Sequence, residues 1–197
     1  MFKNMKIRAK MLLGFFVVAL MAAAVGIIGI VQMKTIDDAD TMLYEQLTIP
    51  LHELYAISTA FEQVRVLEKE LTDSSNIENQ MQIINQINEL SAVIVKNADS
   101  YNSTLFSDHG KKLYADFVAA RQVYRPYLDQ LIKYVENENY TQARILQREK
   151  GTESAKIEQD AISAMAEFKL ELAKETALNN TVIYESSSMY MIILIIA

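Results

Sequence analysis

The residues of this chain that could do chemistry are a few bases and one hydroxyl, divided between two distant segments. Arg65 and Lys69 lie in the first segment, and Arg148 and Thr152 lie in the second. A guanidinium offers a planar fork that can hold a carboxylate through two hydrogen bonds. The chemistry that these residue types favour is therefore the binding of an anion.

Catalytic and metal chemistry find no support in the sequence. It contains no phosphate-binding loop, no Gly-x-Ser-x-Gly and no nucleophile with a base. The two histidines, His52 and His109, are far apart, and the absence of cysteine excludes disulfides and thiolate ligands. We therefore predict that the chain is not an enzyme and that it binds no metal or cofactor.

Apolar residues that alternate by four and three positions predict the helices that must position these bases. The chain has only two prolines and five glycines, too few for strands and hairpins. Turn-forming residues at 73–76, 107–110 and 137–139 separate four predicted helices. Their seams are Leu43, Leu47, Pro50, Leu54, Ile57, Phe61, Val64 and Leu71; Ile77, Met81, Ile84, Ile87, Leu90, Ile94, Ala98, Tyr101 and Leu105; Leu113, Phe117, Ala120, Tyr124, Tyr127, Leu131 and Tyr134; and Ala143, Leu146, Ile157, Ala161, Ala164, Phe168 and Leu172.

Four long helices with short connections are expected to be antiparallel neighbours in an all-α, up-down four-helix bundle. In that arrangement the end of the first helix and the start of the fourth lie at the same end of the bundle. Arg65 and Lys69 then lie at nearly the same height as Arg144, Arg148 and Thr152. The alternative is that these bases make weak surface pairs with the glutamates of the same region, such as Glu62 and Glu68.

Residues 11–33 carry no charge and are long enough to cross a bilayer as a helix. Four bases precede them in residues 1–10 and aspartates follow them, which predicts a cytoplasmic amino terminus and an outer domain beyond the span. A cleaved secretory signal, with a site near Ala22, Ala23 and Ala24, is the alternative. The apolar run continues past that site, which favours a membrane span.

A second uncharged run, residues 189–197, covers less than half a bilayer, so we expect a truncated second transmembrane helix and a chain that is a fragment of a longer protein. Residues 34–188 then form one extracytoplasmic domain. All 25 acids and 15 of the 19 bases lie there, which gives that domain a formal charge of −10. Such a domain is a poor partner for nucleic acid.

The chain resembles the amino-terminal part of a bacterial methyl-accepting chemotaxis protein with a four-helix-bundle sensor domain. The similarity rests on Phe2-Lys3-Asn4-Met5-Lys6-Ile7-Arg8-Ala9-Lys10 before the span, on Ile36-Asp37-Asp38-Ala39-Asp40 after it, on Leu43-Tyr44 with Thr48-Ile49-Pro50-Leu51, and on Asn139-Tyr140-Thr141-Gln142-Ala143. It covers the whole chain.

The resemblance implies a homodimeric, multi-pass receptor of the inner membrane that senses a small molecule and controls a histidine kinase through a cytoplasmic part absent from this chain. It also implies that an organic or amino acid binds at the distal end of the bundle, across the dimer interface. Arg65 is the first candidate ligand residue, followed by Lys69, Arg148 and Thr152. Similar bundles precede histidine kinases and diguanylate cyclases, so the output stays open, as does sensing through a binding protein.

Ala22 and Gly26 form a small-xxx-small pair in the first span, which predicts a close contact between the two first helices of a dimer. Generic membrane composition explains the pair equally well. A membrane adaptor that binds another protein and transmits nothing is the alternative function. The predicted mechanism for the receptor is a shift of the fourth helix along its axis by roughly 1–2 Å.

Overall fold

A computed structural model of the chain describes residues 6–73 and 77–196, and throughout those ranges the chain forms helices joined by short turns, with no strand. The α-helices are α1 (Ile7–Leu43), α2 (Ile49–Asp73), α3 (Ile77–Ser103), α4 (Asp108–Glu136), α5 (Tyr140–Leu146) and α6 (Thr152–Ile196). Two π-helical segments interrupt them: the first π segment (Tyr44–Thr48) joins α1 to α2, and the second π segment (Gln147–Gly151) joins α5 to α6. The all-helical prediction is confirmed for this part of the chain.

The chain divides into two compact units. The core unit comprises Tyr44–Ala173 and contains the hydrophobic core, whereas the second unit comprises the residues up to Leu43 and those from Lys174 onward. The predicted domain boundaries, residues 11–33, 34–188 and 189–197, stay a prediction. Ala197 lies outside the described residues.

One helical stretch in the described part of the chain is long and apolar enough to cross a bilayer. It is Ile7–Asp73, which contains an 18-residue window of mean hydropathy 2.7 with none of its residues buried. The side chains of Phe15, Phe16 and Ile30 in this stretch are more than 60% exposed. Such exposure is typical of a surface meant for lipid or for another protein and not for water.

The first predicted seam is confirmed by burial. α2 and the first π segment bury seven of its members: Leu47, Pro50, Leu54, Ile57, Phe61, Val64 and Leu71. The predicted turn begins where α2 ends, at Asp73, and residues 74–76 lie outside the described part of the chain.

The seam of α3 is only partly correct. Ile87, Ile94, Ala98 and Tyr101 are buried, but Met81 is 62% exposed. Gln80 and Ile83 are buried instead, and the Gln80 amide donates to the Tyr140 hydroxyl at 3.1 Å. The buried stripe of α3 includes a glutamine near its start. A search for apolar residues alone therefore placed this first part of the stripe one residue too late in the sequence.

α4 follows its predicted seam closely. Ser107 caps its amino end by accepting a hydrogen bond from the Gly110 amide at 3.1 Å, as serine commonly does at this position. The helix therefore begins inside the predicted turn 107–110. It continues through Pro126, which has no amide proton to donate to the preceding turn. Phe117, Ala120, Tyr124, Tyr127 and Leu131 are buried.

The fourth predicted helix differs most from its seam. Its start is as predicted, because Glu138 adopts a positive φ of 56° in the turn and Asn139 caps α5. However, Ile157 is 45% exposed, and the buried stripe of α6 contains two charged residues. That stripe consists of Ser154, Ala155, Glu158, Ile162, Met165 and Lys169.

Contacts within the core unit join early residues of one helix to late residues of its neighbour. The Ser100 hydroxyl at the end of α3 donates to Glu53 near the start of α2. Arg125 in the second half of α4 donates to Asn88 in the first half of α3 at 3.3 Å. The rings of His109 and Phe168 lie 5.0 Å apart. These pairs bring the end of α2 and the start of α6 to the same region, where all four candidate ligand residues lie.

Candidate ligand-binding site

The centre of this region is a buried carboxylate. Glu68 is only 5% exposed, and its oxygens accept hydrogen bonds from three side chains. The Tyr124 hydroxyl donates to Oε2 at 2.7 Å, whereas the side-chain amide of Gln147, at 3.1 Å, and the Tyr127 hydroxyl both donate to Oε1. A buried carboxylate is tolerated only when donors satisfy it in this way.

Glu68 was missed by sequence reasoning, which counted it among surface acids. That expectation is wrong for this residue. Its position after Phe61 and Val64 and before Leu71 continues the four-three spacing of the seam. The spacing was therefore the signal, and the charge of the residue concealed it.

The two tyrosines remain protonated donors. Burial, reinforced by the neighbouring Glu68 carboxylate, raises the pKa of both Tyr124 and Tyr127 far above the ordinary tyrosine value. Each hydroxyl can therefore donate to Glu68 across the whole ordinary pH range. The prediction that these tyrosines belong to the core is confirmed by their burial.

Gly151, at the end of the second π segment, packs directly on this cluster. A methyl group at residue 151 would lie 2.5 Å from the Tyr127 hydroxyl oxygen and 3.3 Å from Glu68 Oε1. The glycine is therefore required by a close approach of α4 to the second π segment. π-Helical turns inside α-helices are frequent at functional sites.

Substituting Gly151 with alanine is expected to lower the free energy of unfolding by about 1–3 kcal/mol, because Tyr127 must move away from Glu68. Lys150→Ala, an exposed change in the same segment, should stay within about 0.5 kcal/mol of the parent. Thermal unfolding of both variants measures the difference. At an open helical position the same Gly→Ala change would stabilise by up to about 1 kcal/mol, so a rise in melting temperature would contradict this packing.

A cleft of about 460 Å³ opens above Glu68. All four predicted ligand residues line it: Arg65 and Lys69 from α2, Arg148 from the second π segment and Thr152 from the start of α6. Arg144 of α5, which the sequence placed at the same height, also lines the cleft. The structure thus brings together the two segments that sequence analysis singled out.

The cleft is predominantly cationic. Four bases face two acids, Glu68 and Asp73, among its lining residues. Glu68 is already engaged by the hydroxyls of Tyr124 and Tyr127. The charge balance of the cleft is therefore opposite to that of the acidic domain around it, which favours an anionic occupant.

Arg65 also makes the surface pair that sequence analysis held as the alternative. Its guanidinium donates to the two oxygens of Glu62 at 3.0 and 3.2 Å, and the two side chains are 33% and 50% exposed. A half-exposed pair at this helical spacing contributes only about 0.3–0.5 kcal/mol. Exchange of Glu62 for a ligand carboxylate therefore costs little.

Gln147 connects the cleft floor to both neighbouring elements. Its side-chain nitrogen donates to Glu68 at 3.1 Å, and its side-chain oxygen accepts a hydrogen bond from the Thr72 hydroxyl at 3.1 Å. The Thr72 hydroxyl is also 2.9 Å from the Lys69 carbonyl oxygen. These hydrogen bonds therefore join α2 to the second π segment, so a displacement of α2 at the cleft would also displace that segment.

Two further charged residues are buried on α6. Glu158 is fully buried and pairs with Arg121 of α4 at 2.7 Å. Burial raises the pKa of Glu158, and the Arg121 guanidinium acts against that rise. Lys169, 1% exposed, donates to the Gln46 carbonyl in the first π segment at 2.9 Å. Burial lowers the pKa of Lys169, and Glu53 opposes that effect.

Ala22 and Gly26 lie on exposed positions of α1, and a side chain added at Gly26 would meet nothing within 4 Å. The predicted dimer contact stays a prediction. Among the residues described, no cluster of three or more histidines and acids is arranged to hold a metal ion.

The described part of the core unit is thus all-helical and carries a cationic cleft. The model of one family, described as a four helix bundle sensory module for signal transduction, matches residues 4–184. The chain belongs to this family, and its resemblance to the sensor part of methyl-accepting chemotaxis proteins is confirmed. No curated protein and no solved structure matches the chain.

Proposed function

We propose that this chain is the sensor module of a transmembrane chemoreceptor. It binds a small anionic molecule, an organic or amino acid, outside the cytoplasm and shifts a helix that leads to a cytoplasmic signalling domain controlling a histidine kinase. The observation that carries the proposal is the convergence of Arg65, Lys69, Arg144 and Arg148 on one cleft, in a chain of the sensory-module family.

In the proposed complex, the ligand carboxylate replaces Glu62 at Arg65. Lys69 and Arg148 supply further positive charge, and the Thr152 hydroxyl can donate to or accept from the ligand. The buried Glu68 beneath them keeps Tyr127 and Gln147 in place. Support comes from the weakness of the Arg65–Glu62 pair, which leaves the arginine free to change partners.

The proposed fold is an antiparallel up-down bundle in which the first and last helices continue into the membrane. α6 supports this, because it begins beside the cleft at Thr152 and extends to Ile196 as one helix. A helix transmits a displacement along its axis, since its backbone hydrogen bonds resist compression. Ligand binding at Thr152 would therefore act at the end of a long rod.

The second π segment offers a way to generate the shift. A π turn contains one residue more than the corresponding α-helical turn. Each residue advances an α-helix by about 1.5 Å. If ligand binding changes the contact of Gln147 with Glu68, the segment can exchange between two windings. The resulting movement of α6 would be roughly 1–2 Å, the size of helix shifts at other switching interfaces.

The proposed topology is multi-pass in the inner membrane. Residues 1–10 lie in the cytoplasm, 11–33 span the lipid, 34–188 form the extracytoplasmic domain and 189–197 begin the second span. The exposed apolar stretch of α1 supports contact with membrane lipid. In a homodimer, Ala22 and Gly26 would bring the two first spans together.

Two alternative functions differ from the chemoreceptor in their output. A histidine kinase or a diguanylate cyclase could replace the chemotaxis output behind the same sensor. An adaptor that only binds another protein would need no ligand in the cleft. The cationic cleft favours a sensory function, because an adaptor that only binds another protein would not need four bases around one cleft.

A thermal-shift screen of the full chain in lipid discs tests the proposal, with amino acids, organic acids and aromatic acids as probes. Since a ligand that binds only the folded state raises its melting temperature, at least one acid should produce a dose-dependent rise. Arg65→Ala should remove the rise and lower the affinity for that acid more than tenfold.

Lys156→Ala is the matched control, because Lys156 makes an exposed pair with Asp160 outside the cleft. It should leave the shift unchanged. A shift that survives Arg65→Ala would move the ligand away from this cleft. The absence of any shift across the panel would favour sensing through a binding protein or the adaptor function.

A further inference from the structure

A second cleft, separate from the cationic one, lies between α3 and α4. Its volume is about 1080 Å³. The space exists because α3 presents short side chains, Ser91, Ala92 and Ala98, to the large residues Tyr114 and Phe117 of α4. We call it the α3/α4 groove.

The groove is polar at one end and apolar at the other. At the polar end, Arg125 donates to the Ser91 hydroxyl at 2.7 Å and to Asn88 at 3.3 Å, and it pairs with Asp129 at 2.9 Å. These contacts hold the guanidinium at the groove, so little side-chain entropy remains to be lost when an anion binds.

The apolar end lies further along both helices. Val95 and Val118 line it with the ring of Tyr114, and half of the Val95 side chain remains exposed. The distance from Ser91 to Asp99 along α3 is about 12 Å at 1.5 Å per residue. A groove of this length can cover an apolar body of ring size with a short chain.

The partly exposed Arg125 of the groove favours an anionic head group for its occupant. Lys96, Arg121 and Arg125 line the groove with one acid, Asp99, while the partners of the two arginines, Glu158 and Asp129, lie outside the lining. The Arg125–Asp129 pair is partly exposed and therefore weak, so Arg125 can exchange Asp129 for a ligand carboxylate. A mostly apolar pocket with a few convergent polar groups is the usual form of a small-molecule site. We propose that the α3/α4 groove binds an amphipathic monocarboxylate, with its carboxylate at Arg125 and Arg121 and its apolar body along Val95 and Val118.

The groove is also connected to α6. Arg121 lines the groove and pairs through Nη1 with the fully buried Glu158 at 2.7 Å, while its Nη2 donates to the Ser91 carbonyl oxygen at 3.5 Å. A carboxylate in the groove would share Arg121 with Glu158 and weaken that pair. Because Glu158 lies on the helix that begins at the cationic cleft, occupancy of the groove would change the packing of the same helix.

The test uses 4-phenylbutanoate as the probe and isothermal titration of the full chain in lipid discs, with empty discs subtracted. The parent chain should bind the probe, and 4-phenylbutanamide, which lacks the charge, should bind at least tenfold more weakly. Arg125→Gln should weaken binding of the acid about tenfold. Arg121 is kept, because its loss would leave Glu158 buried without a cation.

Ala92→Leu provides a second variant that does not touch the charges. Ala92 is exposed, so the leucine is accommodated by the fold and its side chain fills the groove. Binding should fall at least tenfold, whereas Lys112→Gln, an exposed change on α4 outside the groove, should leave it unchanged.

The proposal is overturned if the parent chain does not bind the probe, or if Ala92→Leu and Arg125→Gln bind it as tightly as the parent. It is also overturned if Arg65→Ala removes binding while both groove variants retain it, because the probe then occupies the cationic cleft. That last result would leave the proposed chemoreceptor function intact, so the two proposals can fail independently.

Discussion

Glu68→Ala is expected to lower the free energy of unfolding by about 3–6 kcal/mol. The change leaves the hydroxyls of Tyr124 and Tyr127 and the amide of Gln147 without their shared acceptor in a buried site. Each buried donor that loses its partner costs about 1–3 kcal/mol. Urea unfolding of the full chain in lipid discs, followed by circular dichroism, measures the loss.

A triple variant separates the loss of hydrogen bonds from the loss of packing. Glu68→Leu, Tyr124→Phe and Tyr127→Phe together remove the acceptor and the two buried hydroxyl donors, while the half-buried Gln147 amide keeps the backbone carbonyl of residue 68 at 3.4 Å as an acceptor. Replacing a satisfied polar cluster with apolar groups of similar shape is often nearly neutral, so this variant should recover most of the stability that Glu68→Ala loses. If it is as unstable as the single variant, the hydrogen-bond explanation is wrong.

Arg121→Ala is expected to cost about 3–5 kcal/mol at neutral pH, because it leaves the carboxylate of Glu158 fully buried without its cation. Glu158→Gln in the same chain should restore most of the loss, since the buried negative charge is then removed as well. Stability of the single and double variants, measured by urea unfolding, decides between lost charge pairing and lost packing of the arginine.

The loss in Arg121→Ala should depend on pH with a definite sign. Burial raises the pKa of Glu158 in the folded state, and removing Arg121 removes the group that opposes that rise. A carboxyl with a raised folded pKa stabilises the protein below its unfolded pKa and loses that contribution as the pH rises through the folded value. The gap between parent and variant should therefore widen from acidic to neutral pH; a constant gap would contradict the assignment.

Much of the fold could be predicted from the sequence because its seams are mainly apolar. Phe117, Tyr124 and Leu131 recur every seven residues, one full four-three repeat, and are buried as that pattern requires. The prediction weakened where seam positions carry polar groups. Glu158 and Lys169 occupy the buried stripe of α6, and a search for apolar periodicity assigned the neighbouring stripe of Ile157 instead.

The bases that line the candidate site could be predicted from the sequence, but the buried residues beneath them could not. Arg65 and Arg148 could be matched by height, because the order of helices in an up-down bundle fixes which ends meet. Glu68 lies at a seam position, but its charge concealed that spacing, and Gly151 depends on side-chain packing at a π turn, for which the sequence offers no periodic signal. Such details arise from tertiary contacts that outweigh local preference.

In the proposed receptor, binding at the cleft reaches the cytoplasm through the continuous helix α6. Kinase output tests this transmission in a chimera that joins the chain to the second membrane span and cytoplasmic part of a chemoreceptor, with and without Gly-Gly inserted between Asn179 and Val182. The insertion should leave ligand binding within twofold of the parent and abolish the ligand response, because two glycines weaken a helix interior by about 2 kcal/mol. A full ligand response from the interrupted helix would contradict transmission along α6.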